Sequence, residues 1–166
     1  MLALKINDVK GMMNQLLIGS TFDLFPVSET SVTTFNTFTI DGRINKEFFD
    51  TDIQDMLTQN GAVYSLWKEI KPFCFSIIRG KRTPLQFKII FQFSPEQASL
   101  LSPADTDRKP SDISGFFLNL QYKNNLLLCT TGVFQKFFSL EKTAEQQWDS
   151  AVRLFLQSHN IDYDLV

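Results

Sequence analysis

Leu85, Phe87, Ile89, Phe91 and Phe93 occupy alternate positions of one stretch, with Gln86, Lys88 and Gln92 between them and Ile90 as the exception. Successive side chains of a strand point to opposite faces. The pattern therefore commits this stretch to a sheet with one buried face and one mostly wet face. Phe116, Leu118, Leu120 and Tyr122 repeat the alternation. Lys123-Asn124-Asn125 follows as a turn, because asparagine tolerates positive φ, and residues 126–134 return as the partner strand. Strands joined by such tight turns pair antiparallel.

Other elements follow from periodicity and punctuation. Residues 7–18 predict an amphipathic helix with Val9, Met12, Met13, Leu16 and Leu17 on one face, Asn7 as N-cap and Gly19 as stop. Residues 21–27 read as a short edge strand, and residues 31–40 as a strand that turns at Asp41-Gly42 and returns over 43–49. Residues 50–57 predict one or two helical turns, broken by Asn60-Gly61. Val63, Leu66, Trp67 and Ile70 recur at helical spacing until Pro72 ends that short helix. Residues 73–78 and 85–93 then read as a hairpin with 79–84 at its tip. Ser94-Pro95-Glu96-Gln97 is a capping box, residues 102–114 an exposed loop, and Thr143 with Gln146 a second box that opens the last helix. Ala144, Trp148, Ala151, Val152 and Phe155 form that helix's stripe. The acidic tail, 160–166, is expected to fray.

Together these predict an α+β fold: one antiparallel sheet of six or seven hairpin-linked strands, packed against N- and C-terminal helices in a single domain over 1–166. Seventeen phenylalanines imply a core rich in aromatic rings. No stretch of about 18 apolar residues is present to span a membrane, and the default compartment is the cytoplasm. Cys74 and Cys129 are expected as buried, reduced thiols. Whether they are neighbours is open.

The formal charge is −2, so the whole molecule does not attract nucleic acid or acidic membranes and any such attraction is local. Positive charge does concentrate locally. Lys68, Lys71, Arg79, Lys81, Arg82 and Lys88 lie between positions 68 and 88 with Glu69 as the one acid. Arg79, Lys81 and Arg82, with Lys71 and Lys88, are the candidate contacts to an anion or partner. Gly80 would admit a close backbone approach, and Phe73, Phe75 or Tyr64 a stacking surface for nucleic acid. The competing reading is a solvated turn whose charges protect a sheet edge.

Catalytic motifs give no support. One histidine, His159, and two widely separated cysteines do not make a zinc site. Glu47, Asp50, Asp52 and Asp55 cluster, yet their spacing departs from an EF-hand loop, and acids at a helix start complement its dipole. GxSxG, GxxxxGK[ST] and GxGxxG are missing. A carboxylate pair has no local motif and stays open as an enzymatic alternative. No cofactor is implied.

The stretches FNTFTIDGRINKEFFD (35–50) and LWKEIKPFCFSIIRGKRTPLQFKIIFQFS (66–94) resemble an uncharacterised bacterial family of about this length, a domain of unknown function. The resemblance implies a cytosolic bacterial protein and carries no activity, cofactor or site residue. The expectation is a non-enzymatic binding or interaction module that takes an anionic partner at 79–84. Its rivals are nucleic-acid binding through the same residues, a carboxylate-dependent enzyme, and self-association.

Overall fold

The computed structural model describes residues 1–80, 82–101, 113–137 and 142–166. Most of the predicted 102–114 loop, and Lys81, lie outside the described residues. Seven strands form one antiparallel sheet in the order β3-β2-β4-β5-β6-β1-β7. They are β1 (Ala3–Ile6), β2 (Val27–Thr33), β3 (Thr37–Asp41), β4 (Gln86–Phe93), β5 (Ile113–Lys123), β6 (Leu126–Gln135) and β7 (Tyr163–Leu165). The helices are α1 (Val9–Leu17), α2 (Thr51–Gln59), α3 (Trp67–Ile78) and α4 (Thr143–Ser158). The predicted α+β class holds. Among the described residues, no helix is long and apolar enough to cross a membrane.

The alternation in β4 sorts as expected. Phe87, Ile89, Phe91 and Phe93 are buried, as are Leu118, Leu120 and Tyr122 of β5. Leu85 lies just before the strand and is exposed. The β5–β6 turn is Asn124-Asn125, with φ of 53° and 62°. Two positive φ angles make it the turn whose twist matches a hairpin.

Phe22 and Phe25 meet Phe91 and Phe155 in a cluster of stacked and edge-on rings. Each buried indole finds a carbonyl: Trp67 Nε1 donates to Leu16 O at 2.6 Å and Trp148 Nε1 to Phe117 O at 2.8 Å. These bonds tie α3 to α1 and α4 to β5. The Thr131 hydroxyl accepts from the Leu2 amide at 2.8 Å and donates to Asp149, linking β1, β6 and α4.

Several boundaries differ from expectation. Residues 73–78 are helix, not strand. Trp67, Ile70, Cys74, Ile77 and Ile78 supply the face turned to the core, at helical spacing, while Phe73 and Phe75 are exposed. Pro72 stays inside α3, and there is no β-hairpin at 79–84. Residues 21–27 turn before β2 begins at Val27. The 31–40 stretch folds back on itself at 34–36 to pair β2 with β3. Gly42 is no hairpin turn: a Cβ there would lie 1.8 Å from Val27 O, so only glycine lets the chain pass β2 at this distance. Residues 43–49 therefore make no returning strand.

The capping residues also shift. Asp8, rather than Asn7, caps α1 by accepting from the Gly11 amide at 2.8 Å. The Ser94–Gln97 box forms, with reciprocal bonds of 3.0 and 3.2 Å. The Thr143 box does not, because the helix starts one residue earlier with Lys142 at the cap. The tail does not fray. β7 pairs with β1, and Asn7 bonds Asp162 through both backbone and side chain.

Proline at position 72 removes the amide that would bond the Lys68 carbonyl one turn earlier. Pro72→Ala restores that bond at an exposed site. It should raise unfolding free energy by about 1–2 kcal/mol, the helix gain less the chain entropy that proline removes from the unfolded state. Urea denaturation checks this, and an unchanged or lower midpoint would show that Pro72 is needed for packing.

Candidate functional site

The packing of α3 across α1 leaves an apolar groove of about 490 Å³. Val9, Met13 and Leu17 of α1 form one wall, a half-buried stripe beside the core stripe of Met12 and Leu16. Phe75 and Ile78 of α3 form the other. The floor is Phe87 of β4 and Tyr122 of β5, whose rings stack 5.3 Å apart at an interplanar angle of 11°. The Tyr122 hydroxyl donates to Asn125 Oδ1 at 3.0 Å. Among the described residues, two charged ones line the groove, Lys10 and Arg82, and both are exposed cations.

Arg82 reaches the groove because α3 ends abruptly. Arg79 leaves helical geometry, and Gly80 follows with φ +145°, a conformation that glycine adopts without strain. Pro84, buried, then leads into β4.

The five predicted contact residues separate. Arg82 lines the groove. Arg79 is exposed at the C-cap of α3. Lys71 is engaged elsewhere: its Nζ pairs with Asp23 and donates to Gly19 O at 2.8 Å, holding α3 to the chain after α1. Lys88 alternates with Phe87 and is exposed on the other sheet face. Lys81 lies outside the described residues. Lys10 has no local signal, since the apolar stripe is what marks helix 7–18, and only tertiary packing places Lys10 and Arg82 on the same groove.

A larger cavity, about 580 Å³, lies between the 20–25 turn, the 3-10 turn Gln97–Leu100 and the end of α4. Leu24, Phe25, Leu100, Leu101, Leu154 and Phe155 dominate it, with Ser158 and His159 at the rim. His159 Nδ1 lies 2.8 Å from Phe155 O. A carbonyl only accepts, so Nδ1 carries a proton there. The Ser158 hydroxyl donates to the same carbonyl at 2.8 Å. Ser158 Oγ also lies 3.1 Å from His159 Nδ1, but a ring nitrogen that donates to the Phe155 carbonyl takes no proton from the hydroxyl, so the two groups close the end of α4 without activating the serine. The larger volume thus offers shape without converging charge, and the smaller groove is the stronger candidate.

Glu47, Asp50, Asp52 and Asp55 are all exposed, which removes the sequence-local candidate for a catalytic carboxylate pair. Among the described residues, no group of three or more His, Cys, Asp or Glu is placed to share a metal ion.

Cys74 and Cys129 are free and buried. Desolvation is the leading cause that pushes the Cys74 thiol up to about 11 and the Cys129 thiol up to about 12, from an ordinary 9.0. Above pH 9 the unfolded chain releases thiol protons that the folded chain keeps. The contribution to stability is full below that pH and is lost as pH rises toward 11 and beyond. The urea midpoint should therefore fall over this range, and Cys74→Ala should flatten the fall. An unaltered slope in the variant would exclude Cys74 as its source.

A family model described as "Family of unknown function (DUF5721)" matches residues 15–164. No curated protein matches the chain, and no solved structure does.

Proposed function

We propose, for a chain that belongs to this family of unknown function, a non-enzymatic binding module whose α1–α3 groove takes a ligand joining an anionic head to an apolar body. The observation that carries the reading is the presence of both Lys10 and Arg82 on a groove walled by Met13, Leu17, Phe75, Ile78 and Phe87. The volume of about 490 Å³ falls within the range of roughly 300–1,000 Å³ common to small-molecule sites.

The two halves of such a ligand contribute differently. Each methylene moved from water onto the apolar walls is worth about 0.8 kcal/mol. An exposed ion pair contributes about 0.2–1 kcal/mol and weakens with salt. The walls would supply affinity and the cations would select the sign of charge. Nucleic acid fits this geometry less well: Lys71 is committed to Asp23, and Lys88 is on the opposite sheet face. A bacterial, cytoplasmic setting belongs to the same proposal. The resemblance supports it, and two free thiols suit a reducing compartment.

Titration calorimetry with octanoate and octanol tests the reading at low ionic strength. Octanoate should bind more tightly, with about a two- to fivefold loss for each of Lys10→Ala and Arg82→Ala and no loss for octanol. Met13→Glu, which places an anion in the wall, should abolish octanoate binding. Absence of binding, or equal affinity for both probes, would overturn the proposal.

A further inference from the structure

The segment 43–64 leaves the sheet as an arm. Gly42 is pressed against Val27 O at its base. Arg43 then bridges Tyr64, the Ile44 amide donates to Val63 O at 2.9 Å, and the Arg43 guanidinium lies over the Tyr64 ring. Beyond this clasp come the 3-10 turn Lys46–Phe48 and α2, and neither contains a buried residue. Phe48 is 85% exposed and Met56 51%, with Ile53 also exposed. A nine-residue helix is too short to be stable on its own in water, since isolated helices below about 12–15 residues are marginal. Helices of this length normally gain their stability by burying an apolar face, and among the described residues α2 buries none fully, Leu57 alone of its stripe being half-buried.

The arm also has a chemical polarity. From position 47 to 60 it carries Glu47, Asp50, Asp52 and Asp55 and no lysine or arginine. Ile53, Met56 and Leu57 recur at the i, i+3, i+4 spacing of a helix that docks in a groove. An acidic helix with an apolar stripe matches an apolar groove with a cationic rim. Such a groove is present on this chain, lined by α1, α3 and β4 with Lys10 and Arg82 at its edge, and no residue of α2 contributes to it.

We infer that the α2 arm of one copy docks in the α1–α3 groove of a second copy, with Ile53 and Met56 against Met13, Phe75 and Phe87 and the arm's acids facing Lys10 and Arg82. The inference rests on the groove being the binding site proposed above, and names a second copy of this chain as its partner. A single helix in a single groove makes a contact at the small end of protein interfaces, so association is weak and reversible. A twofold axis closes two such contacts into a dimer.

Sedimentation velocity from micromolar to submillimolar protein reads the association. Met56→Asp on the arm and Arg82→Glu on the groove should each weaken it at least about tenfold. Met56→Asp removes no buried contact, so the fold survives it. Mixing the two variants leaves one intact arm and one intact groove, and should restore a one-to-one complex. A strictly monomeric native chain, or association that both variants leave intact, would overturn the inference. Octanoate binding to the Met56→Asp variant separates the two proposals. Retained binding with lost association supports both. Binding by a chain that never associates removes self-docking and leaves the groove reading standing, and loss of both removes the two together.

Discussion

The 2.6 Å bond from the Trp67 indole to the Leu16 carbonyl fixes where α3 crosses α1, and the groove is a consequence of that crossing. Trp67 is fully buried, and its ring meets Phe91 edge-on at 5.8 Å. An indole N–H withdrawn from water without an acceptor costs about 1–3 kcal/mol. The last turn of α1 supplies the acceptor at the place where its own carbonyls run out of helical partners. One contact thus satisfies a donor from α3 and an acceptor from α1. Lys71, one turn further on, repeats the tie through Gly19 O and Asp23. With the two helices tied at this end, Val9, Met13 and Leu17 of α1 and Phe75 and Ile78 of α3 are left as apolar walls over Phe87 and Tyr122.

This explains which parts of the fold were legible in the sequence. Alternation in β4 and β5, the Asn124-Asn125 turn, the Ser94–Gln97 box and the stripes of α1 and α4 are local patterns, and each formed. The 73–78 stretch satisfies two periods at once. Phe73, Phe75 and Ile77 alternate, while Ile70, Cys74, Ile77 and Ile78 fit a helix. Nothing local decides between them, and proline at 72 argued for the wrong one. Packing decides: the helical reading buries Trp67 and Cys74 completely and leaves two phenylalanines outside. β1 and β7 were invisible for another reason. Strands of four and three residues are too short to show a period, and they exist because β1 pairs with β6 and β7 then pairs with β1.

The site was less legible than the fold. Arg82 stood out because charge is dense around it, but Lys10 is remote in sequence and unremarkable in composition. Conversely Lys71 and Lys88 belonged to the same dense stretch and are carried elsewhere, one into an ion pair and one to the far sheet face. Clustering in sequence measures proximity along one element. A helix followed by a strand disperses what a hairpin would have gathered. The helical state of 73–78 therefore also decides the site: a hairpin tip would hold its cations together, whereas a helix end, a bend and a strand point them in different directions.

The groove and the arm express one division of labour. Exposed cations interact through water and contribute little energy per pair, so Lys10 and Arg82 are poor sources of affinity and good discriminators of charge. Apolar walls behave oppositely, rewarding any greasy surface alike. An occupant must satisfy both, as the two proposed ones would: a small amphiphile with one acidic end, and the α2 arm with acids beside Ile53 and Met56. They cannot occupy the same walls together. If each binds as argued, ligand and second copy are mutually exclusive, and by linkage the ligand disfavours association by the factor by which association disfavours the ligand. A weak arm contact is then the useful one, because a tight one would leave the groove closed to any small molecule at ordinary concentrations.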